Sequence, residues 1–273
     1  MTWAEAFAWI EDLNRSRPGG FADWRLPDRH ELFSLVSHET VNPALPAGHP
    51  FVNVFPGYYW TATTVNRLPD QAWYVHLGGA RVVKGMKSGS CMVWPVRSFE
   101  APSVFRTGQT ACTAPDGAGG DRAGSGRDCA LPVGRPRPLP RFEVQDGVVA
   151  DRLTGLFWTR AADLVPGPVA WEEANERVAA ANRRALYGYA DWRLPHIREL
   201  ESLCDLQRHS PALPAGHPFE AVQDFYWSGT ISRYDRAYAW ALYLLDGQLG
   251  VGYKAGGGFH LWPVRGPQTE NGS

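Results

Sequence analysis

Trp3, Ala6, Phe7, Ile10 and Leu13 fall on one face of a 3.6-residue period, and Thr2 with Glu5 has the spacing of a capping box. This pattern predicts a first amphipathic helix. The stretch ADWRLP, Ala22 to Pro27, follows a Gly-bearing loop and reads as extended, because the residue before proline avoids helical backbone. Asp28 is then an N-cap with Glu31 three residues on, opening a second helix through Leu32, Leu35 and Val36. PALPAGHPF, Pro43 to Phe51, carries three prolines and is read as a rigid loop. Beyond it YYWTATTV, QAWYVHL and RVVKGMK show strand character, with Trp73, Val75 and Leu77 alternating against Tyr74 and His76 and a turn at Gly78-Gly79. CMVWPVRS is expected to close the unit as a strand.

The same text is written twice. ADWRLP recurs at Ala190 to Pro195 and PALPAGHPF at Pro211 to Phe219, each 168 positions later, while Trp3, Glu5, Ala6, Asn14 and Arg15 match Trp171, Glu173, Ala174, Asn182 and Arg183. Tyr59-Trp60 and Trp73 match Tyr226-Trp227 and Trp240 at an offset of 167, and WPVR returns to 168 at Trp262 to Arg265. Single-residue length changes between fixed blocks are what loops tolerate. A period this long makes each copy a domain with its own core rather than a solenoid repeat. The expected fold class is α+β, two tandem units each of two helices plus an antiparallel β meander. The boundaries are 1–98 for the first domain, 99–140 for a Gly/Pro-rich linker, 141–266 for the second domain and 267–273 for a tail. FEVQDGVVADRLTGLFWTR, ahead of the second copy's first helix, reads as two strands around a turn; the first copy shows no counterpart, so it lacks these leading strands or something else completes its sheet.

Charge and composition narrow the function. A formal net charge of -1 gives no electrostatic footprint for nucleic acid, and no apolar run approaches a membrane span. The opening MTWAEAFAWIEDL carries acidic residues where an export signal would be basic, so no signal peptide is expected in this chain. The 12 Trp, 12 Phe and 10 Tyr are a heavy aromatic load; many recur between copies, and the recurring ones are assigned to the core. Of the four cysteines, Cys112 and Cys129 flank a short loop and are a disulfide candidate, worth on the order of 3 kcal/mol if closed. Cys204 stands where the first copy has Val36 and reads as a small buried apolar residue. No C-x-x-C spacing points to zinc. Asp116, Asp121 and Asp128 lie in a Gly-rich run but without the alternating spacing of a calcium loop, so no metal and no cofactor is expected.

The order TGLFW, AWEEA, DWRLPHIREL, FYWSGT and WPVR resembles the Lcl C-terminal domain family, over Arg141 to Gly266 and over Met1 to Ser98; RTGQTAC resembles the segment that often precedes such domains. The resemblance implies a C-type-lectin-like fold used as a binding scaffold on exported, cell-surface or periplasmic proteins. Some relatives are adhesin tips that bind sulfated glycans and others are variable receptors of diversity-generating retroelements. The calcium-type sugar motif of true C-type lectins is not visible in this chain.

The repeated polar residues Asp23, Trp24, Arg25, Glu31 and Arg97, with Asp191, Trp192, Arg193, Glu199 and Arg265, admit a cleft reading, but a structural one is favoured, as caps and ion pairs tying the second helix to the last strand. His49 and His217 recur in AGHPF without carboxylate or thiol at ligand spacing, and a loop hydrogen bond is favoured over a metal. Hydrolase and nucleotide signatures are absent. A related fold hosts the oxidase that generates formylglycine with a cysteine pair; Cys91 and Cys204 occupy non-equivalent places in different copies, so no enzyme is expected. Ligand binding is expected where the copies differ. There Arg233, Tyr234, Arg236, Tyr238, Tyr243, Tyr253, Lys254 and His260, with Lys87 aligned to Lys254, combine aromatics with cations, a chemistry suited to a glycan or a protein partner. The competing reading is an ordinary strand surface, and a structural or assembly role for the tandem pair is the second class.

Overall fold

The computed structural model of the chain describes residues 1–99, 103–110, 127–131 and 133–266. It divides into two compact units, Met1–Pro136 with Asp205–Gln207, and Arg137–Cys204 with Arg208–Ser273. The α+β class holds in both.

The first unit opens with α1 (Trp3–Ser16), whose Thr2 side chain accepts from Glu5 N–H while Glu5 reaches back to the Thr2 N–H. Two otherwise unpaired backbone donors at the helix start are thereby satisfied. Trp3, Ala6 and Ile10 are the buried stripe, packed with Leu26, Trp60, Ala62 and Ala72. A single 3-10 turn at Pro18–Gly20 leads to the ADWRLP segment, and α2 (Arg29–Ser34) starts at the Asp28/Glu31 capping box. After the proline loop, β1 (Tyr58–Thr64), β2 (Gln71–His76) and β3 (Arg81–Met86) form an antiparallel meander. At the second turn Ala80, not Gly78 or Gly79, takes positive φ, 61°.

In the second unit β4 (Phe142–Gln145), β5 (Val148–Asp151) and β6 (Leu156–Thr159) precede α3 (Trp171–Arg183) and α4 (Ile197–Leu203). The expected two strands are three, because Asp146-Gly147 and Thr154-Gly155 each make a turn, with Gly147 at φ 85° and Gly155 at φ 73°. β7 (Phe225–Ile231), β8 (Tyr238–Tyr243) and β9 (Gln248–Tyr253) repeat the meander, and β10 (Val264–Arg265) joins β6 to give the sheet β10-β6-β5-β4.

Two expectations are corrected. The closing strand is reduced to β10 in the second unit and, in the first, to isolated bridges of Met92 with Tyr59 and Val96 with Arg25. Pro95 and Pro263 each remove a ladder donor inside WPVR, which keeps the strand short. The described part of 99–140 is not a free connector: Thr107, Gln109 and Asp128 are buried, and the Asp128 N–H donates to the Ala62 carbonyl.

Candidate functional site

The duplicated polar residues form one joint, built twice. Arg25 clasps Glu31 with two bonds of 2.5 and 2.6 Å, and Arg193 clasps Glu199 at 2.6 and 2.7 Å, while the same carboxylates cap their own helices. Arg97 meets Asp23 at 2.9 Å and Arg265 meets Asp191 at 2.7 Å, which holds both aspartates below the usual carboxylate range. Arg25 N–H and C=O pair with Val96, and Arg193 with Val264, so the joint ties the segment before the second helix to the chain's closing segment in each unit. Each charge of the clasp meets its opposite. Asn14 and Asn182 complete it, each side chain bonding both the N–H and the C=O of Trp24 or Trp192 at 2.8 Å. Their exact recurrence was the available signal for that role.

The lysines repeat as well. Lys87 Nζ lies 4.2 Å from the Trp3 ring and Lys254 Nζ 4.5 Å from the Trp171 ring, and each lysine carbonyl accepts from the N–H of that tryptophan at 3.0 Å. Burial pushes the Lys87 ammonium down to about 8, where it donates to Thr64 Oγ1 and the Pro69 carbonyl. Both cations sit at helix starts, Lys87 against Trp3 and Lys254 against Trp171. His49 and His217 stack on Phe51 and Phe219 at 5.9 Å, and both Nδ1 atoms are buried without a partner. The loop hydrogen bond expected of these side chains is therefore a ring stack.

The remaining candidates split between two faces of the second meander. Tyr243 turns toward the α3 side with Phe225 (5.3 Å) and Phe259 (5.8 Å), and its partial burial raises the phenol. His260 bridges to Tyr226 next to that group, and burial lowers its imidazole. Tyr238 and Tyr253 are register partners with rings 5.6 Å apart, on the other face. They adjoin the exposed turn of Arg233, Tyr234, Asp235 and Arg236, because the Lys254 N–H donates to the Ala237 carbonyl. Tyr234 and Tyr253 are 65% and 55% exposed, so this end of the hairpin is the solvent-facing part of the set.

Sequence reading missed a buried acid pair in the first unit. Asp128 Oδ2 accepts from Thr63 and Thr107 hydroxyls at 2.8 and 2.7 Å, and burial pushes its carboxyl up to about 6. Asp28 is raised well above its ordinary value by burial and by Asp128, with Oδ2 unbonded while Oδ1 caps α2. Of the three aspartates of the Gly-rich run, Asp128 is buried with Oδ2 facing two hydroxyls, and Asp116 and Asp121 lie outside the described residues. The signal was hidden because Asp128 comes from the linker, far along the chain. Cys129 is disulfide-bonded and Cys91 and Cys204 are free; Cys112 lies outside the described residues. Cys204 is fully buried, as a substitute for Val36 should be. Among the described residues no three His, Cys, Asp or Glu side chains form a metal-binding group, and no helix is long and apolar enough to cross a membrane.

A cavity of about 340 Å³ in the first unit is lined by Phe7, Ile10, Trp24, Leu26 and Leu131, with Asp23 and Arg25 at its edge. Trp24 Nε1 is buried there without an acceptor, whereas the matching Trp192 Nε1 donates to the Leu186 carbonyl at 3.0 Å.

A comparison with curated protein sequences finds no match. A family model does: that of the Lcl C-terminal domain fits residues 1–97 and again residues 147–265, the two stretches that carry the repeated joint, the helix pair and the meander. The chain therefore belongs to the Lcl C-terminal domain family, in two tandem copies.

Proposed function

We propose that this chain is a non-enzymatic binding protein whose tandem domains are C-type-lectin-like, and that its second unit recognises an anionic glycan. The observation that carries this reading is the exposed end of the β7–β8 hairpin, where Arg233, Tyr234 and Arg236 stand beside the Tyr238/Tyr253 ring pair. Flat aromatic faces stack on sugar rings, and guanidinium groups pair with sulfate or carboxylate in a bidentate way. The duplicated polar residues support the non-enzymatic reading by their engagement in ion pairs and caps. The disulfide at Cys129 supports an oxidising, extracytoplasmic setting.

The test is an array of neutral, carboxylated and sulfated glycans probed with the intact chain. Retention of sulfated or uronate-containing members is expected, with at least a tenfold loss on Tyr234→Ala plus Arg236→Ala. An array without binding, or binding indifferent to both substitutions, would sink the glycan reading.

A further inference from the structure

The turn at residues 127–131 is fastened to the first unit through one side chain. The Asp128 N–H donates to the Ala62 carbonyl of β1 at 3.2 Å, and Asp128 Oδ2 accepts from the Thr63 and Thr107 hydroxyls at 2.8 and 2.7 Å. Thr63 Oγ1 also accepts from the Arg29 N–H of α2 at 2.9 Å, and Thr107 Oγ1 from the Gln109 N–H at 3.2 Å. Each hydroxyl has a single proton to give, and both protons go to that one carboxylate oxygen. Asp28, the N-cap of α2, belongs to the same buried cluster: it is 2% exposed, its Oδ2 has no bond, and the charge of Asp128 works against its own.

Neighbouring parts of the linker are held by bonds that need no carboxylate. The Gln109 side chain pairs with both the N–H and the C=O of Thr64, the Leu206 N–H donates to the Thr107 carbonyl at 2.9 Å, and His30 Nδ1 lies 2.8 Å from the Phe105 carbonyl. Within the turn, the Ala130 and Leu131 N–H groups bond only back to the Arg127 carbonyl, and Leu131 is 47% exposed. The second unit makes the same helix contact without an acid. There Thr230 Oγ1 accepts from the Ile197 N–H at 3.0 Å with no carboxylate on its hydroxyl among the described residues, and His196 stands in the place of Asp28. The joint of strand and helix therefore does not depend on Asp128, whose bonds serve the turn.

We propose that the Asp28 and Asp128 cluster is a proton-operated latch: protonated, it holds the 127–131 turn on β1, and with both carboxylates charged the turn lifts from Ala62 while the unit stays folded. Two charges in a buried site repel, and lifting lets water reach them. The ionised neighbours do not cancel them. Glu31 adds to the repulsion; Arg25 opposes it but is committed to Glu31 by two bonds; the Arg29 guanidinium lies over the Trp73 ring at 4.4 Å, and Arg127, on the turn itself, over Trp3 at 5.3 Å. Burial pushes the Asp128 carboxyl up to about 6 in the held state, and lifting returns it toward its ordinary 3.8. The hold is thus complete below about pH 4 and is lost as pH rises through about 6, raising the opening equilibrium by up to roughly a hundredfold. Ala130 and Leu131 wall the cavity beside Trp24, so the latch also sets how open that cavity is. The proposal is independent of the glycan reading, which concerns the second unit.

The experiment is hydrogen exchange of the full chain, read by mass spectrometry from pH 4.5 to 8 and corrected for the intrinsic pH dependence of amide exchange. Protection of residues 127–131 is expected to fall at least tenfold between pH 4.5 and 7.5 while that of β2 holds, and to stop falling at the midpoint of the Asp128 carboxyl titration followed by its 13C shift. In Asp28→Asn with Asp128→Asn the fall is expected to shrink below threefold. Constant protection of the turn in the parent, an equal loss in β2, or a plateau away from the Asp128 midpoint would each overturn the latch. A tenfold fall that survives the double substitution would do so too, since it assigns the effect to another titrating group such as His30. The parent profile and the 13C titration decide the matter even where the double variant does not fold.

Discussion

Asp128 is the residue whose environment departs furthest from what its neighbours in the chain suggest. Its folded carboxyl titrates at about 6 against an ordinary 3.8, so between those values the folded chain holds a proton that the unfolded chain has released. The contribution of this site to stability is therefore largest below about pH 4 and is lost as pH rises through about 6, by on the order of 3 kcal/mol at most. Denaturant midpoints should show Asp128→Asn gaining stability over the parent at pH 7 and losing that advantage by pH 4; a constant difference across that range contradicts the assignment. The pairs at Asp23 and Asp191 push the other way at low pH, so the parent-minus-variant difference is the quantity to read, and it reports Asp128 together with the Asp28 it acts on. Glu199 offers a second measurement. It is 4% exposed, clasps Arg193 and caps α4, so Glu199→Ala should cost about 3 kcal/mol in urea unfolding, while Glu220→Ala in the exposed pair with Arg160 should cost about 1 kcal/mol or less.

At the scale of elements, the two copies test how much a sheet adds to a face it covers. Phe219 packs under Phe142 and Trp262, so Phe219→Ala should destabilise the second unit by about 3 kcal/mol. Phe51→Ala, at the more exposed counterpart, should cost the first unit roughly half as much. Separate fluorescence transitions of the two units, or calorimetry, would read the difference. Elements of this kind were largely legible in advance. Capping boxes at Thr2 and Asp28 placed two helices, alternation placed the meanders, and the doubled ADWRLP located the joint, because each of these signals is local. What local pattern did not show is that FEVQDGVVADRLTGLFWTR holds three strands, or that WPVR is too interrupted by proline to form a full one. Nor did it show how the candidate binding residues divide between faces. Tyr238 and Tyr243 are five residues apart on one strand and so face opposite sides, and Lys254 is drawn onto Trp171.

For the molecule as a whole, thiol chemistry offers a check that spans both units. Cys204 is fully buried, and burial pushes the half-buried Cys91 thiol up to about 11, so neither presents a ready thiolate near neutral pH. Mass spectrometry after maleimide treatment should find both unmodified in the native chain and labelled on denaturation, with Cys129 labelled only after reduction. Rapid native labelling of Cys204 would contradict the packing described. The sequence by itself determined the duplication, the α+β class and the helix starts, because identical text at a fixed offset and short-range caps do not depend on what else is nearby. Only the tertiary structure decided which copies of a residue are covered. Phe51 and Phe219 sit in the same nonapeptide, and their exposure differs because β4–β6, supplied from elsewhere in the chain, lies over one and not the other. The burial of Asp128 was decided in the same way, by the meeting of a linker residue with Thr63 and Thr107 across distances that no local pattern encodes.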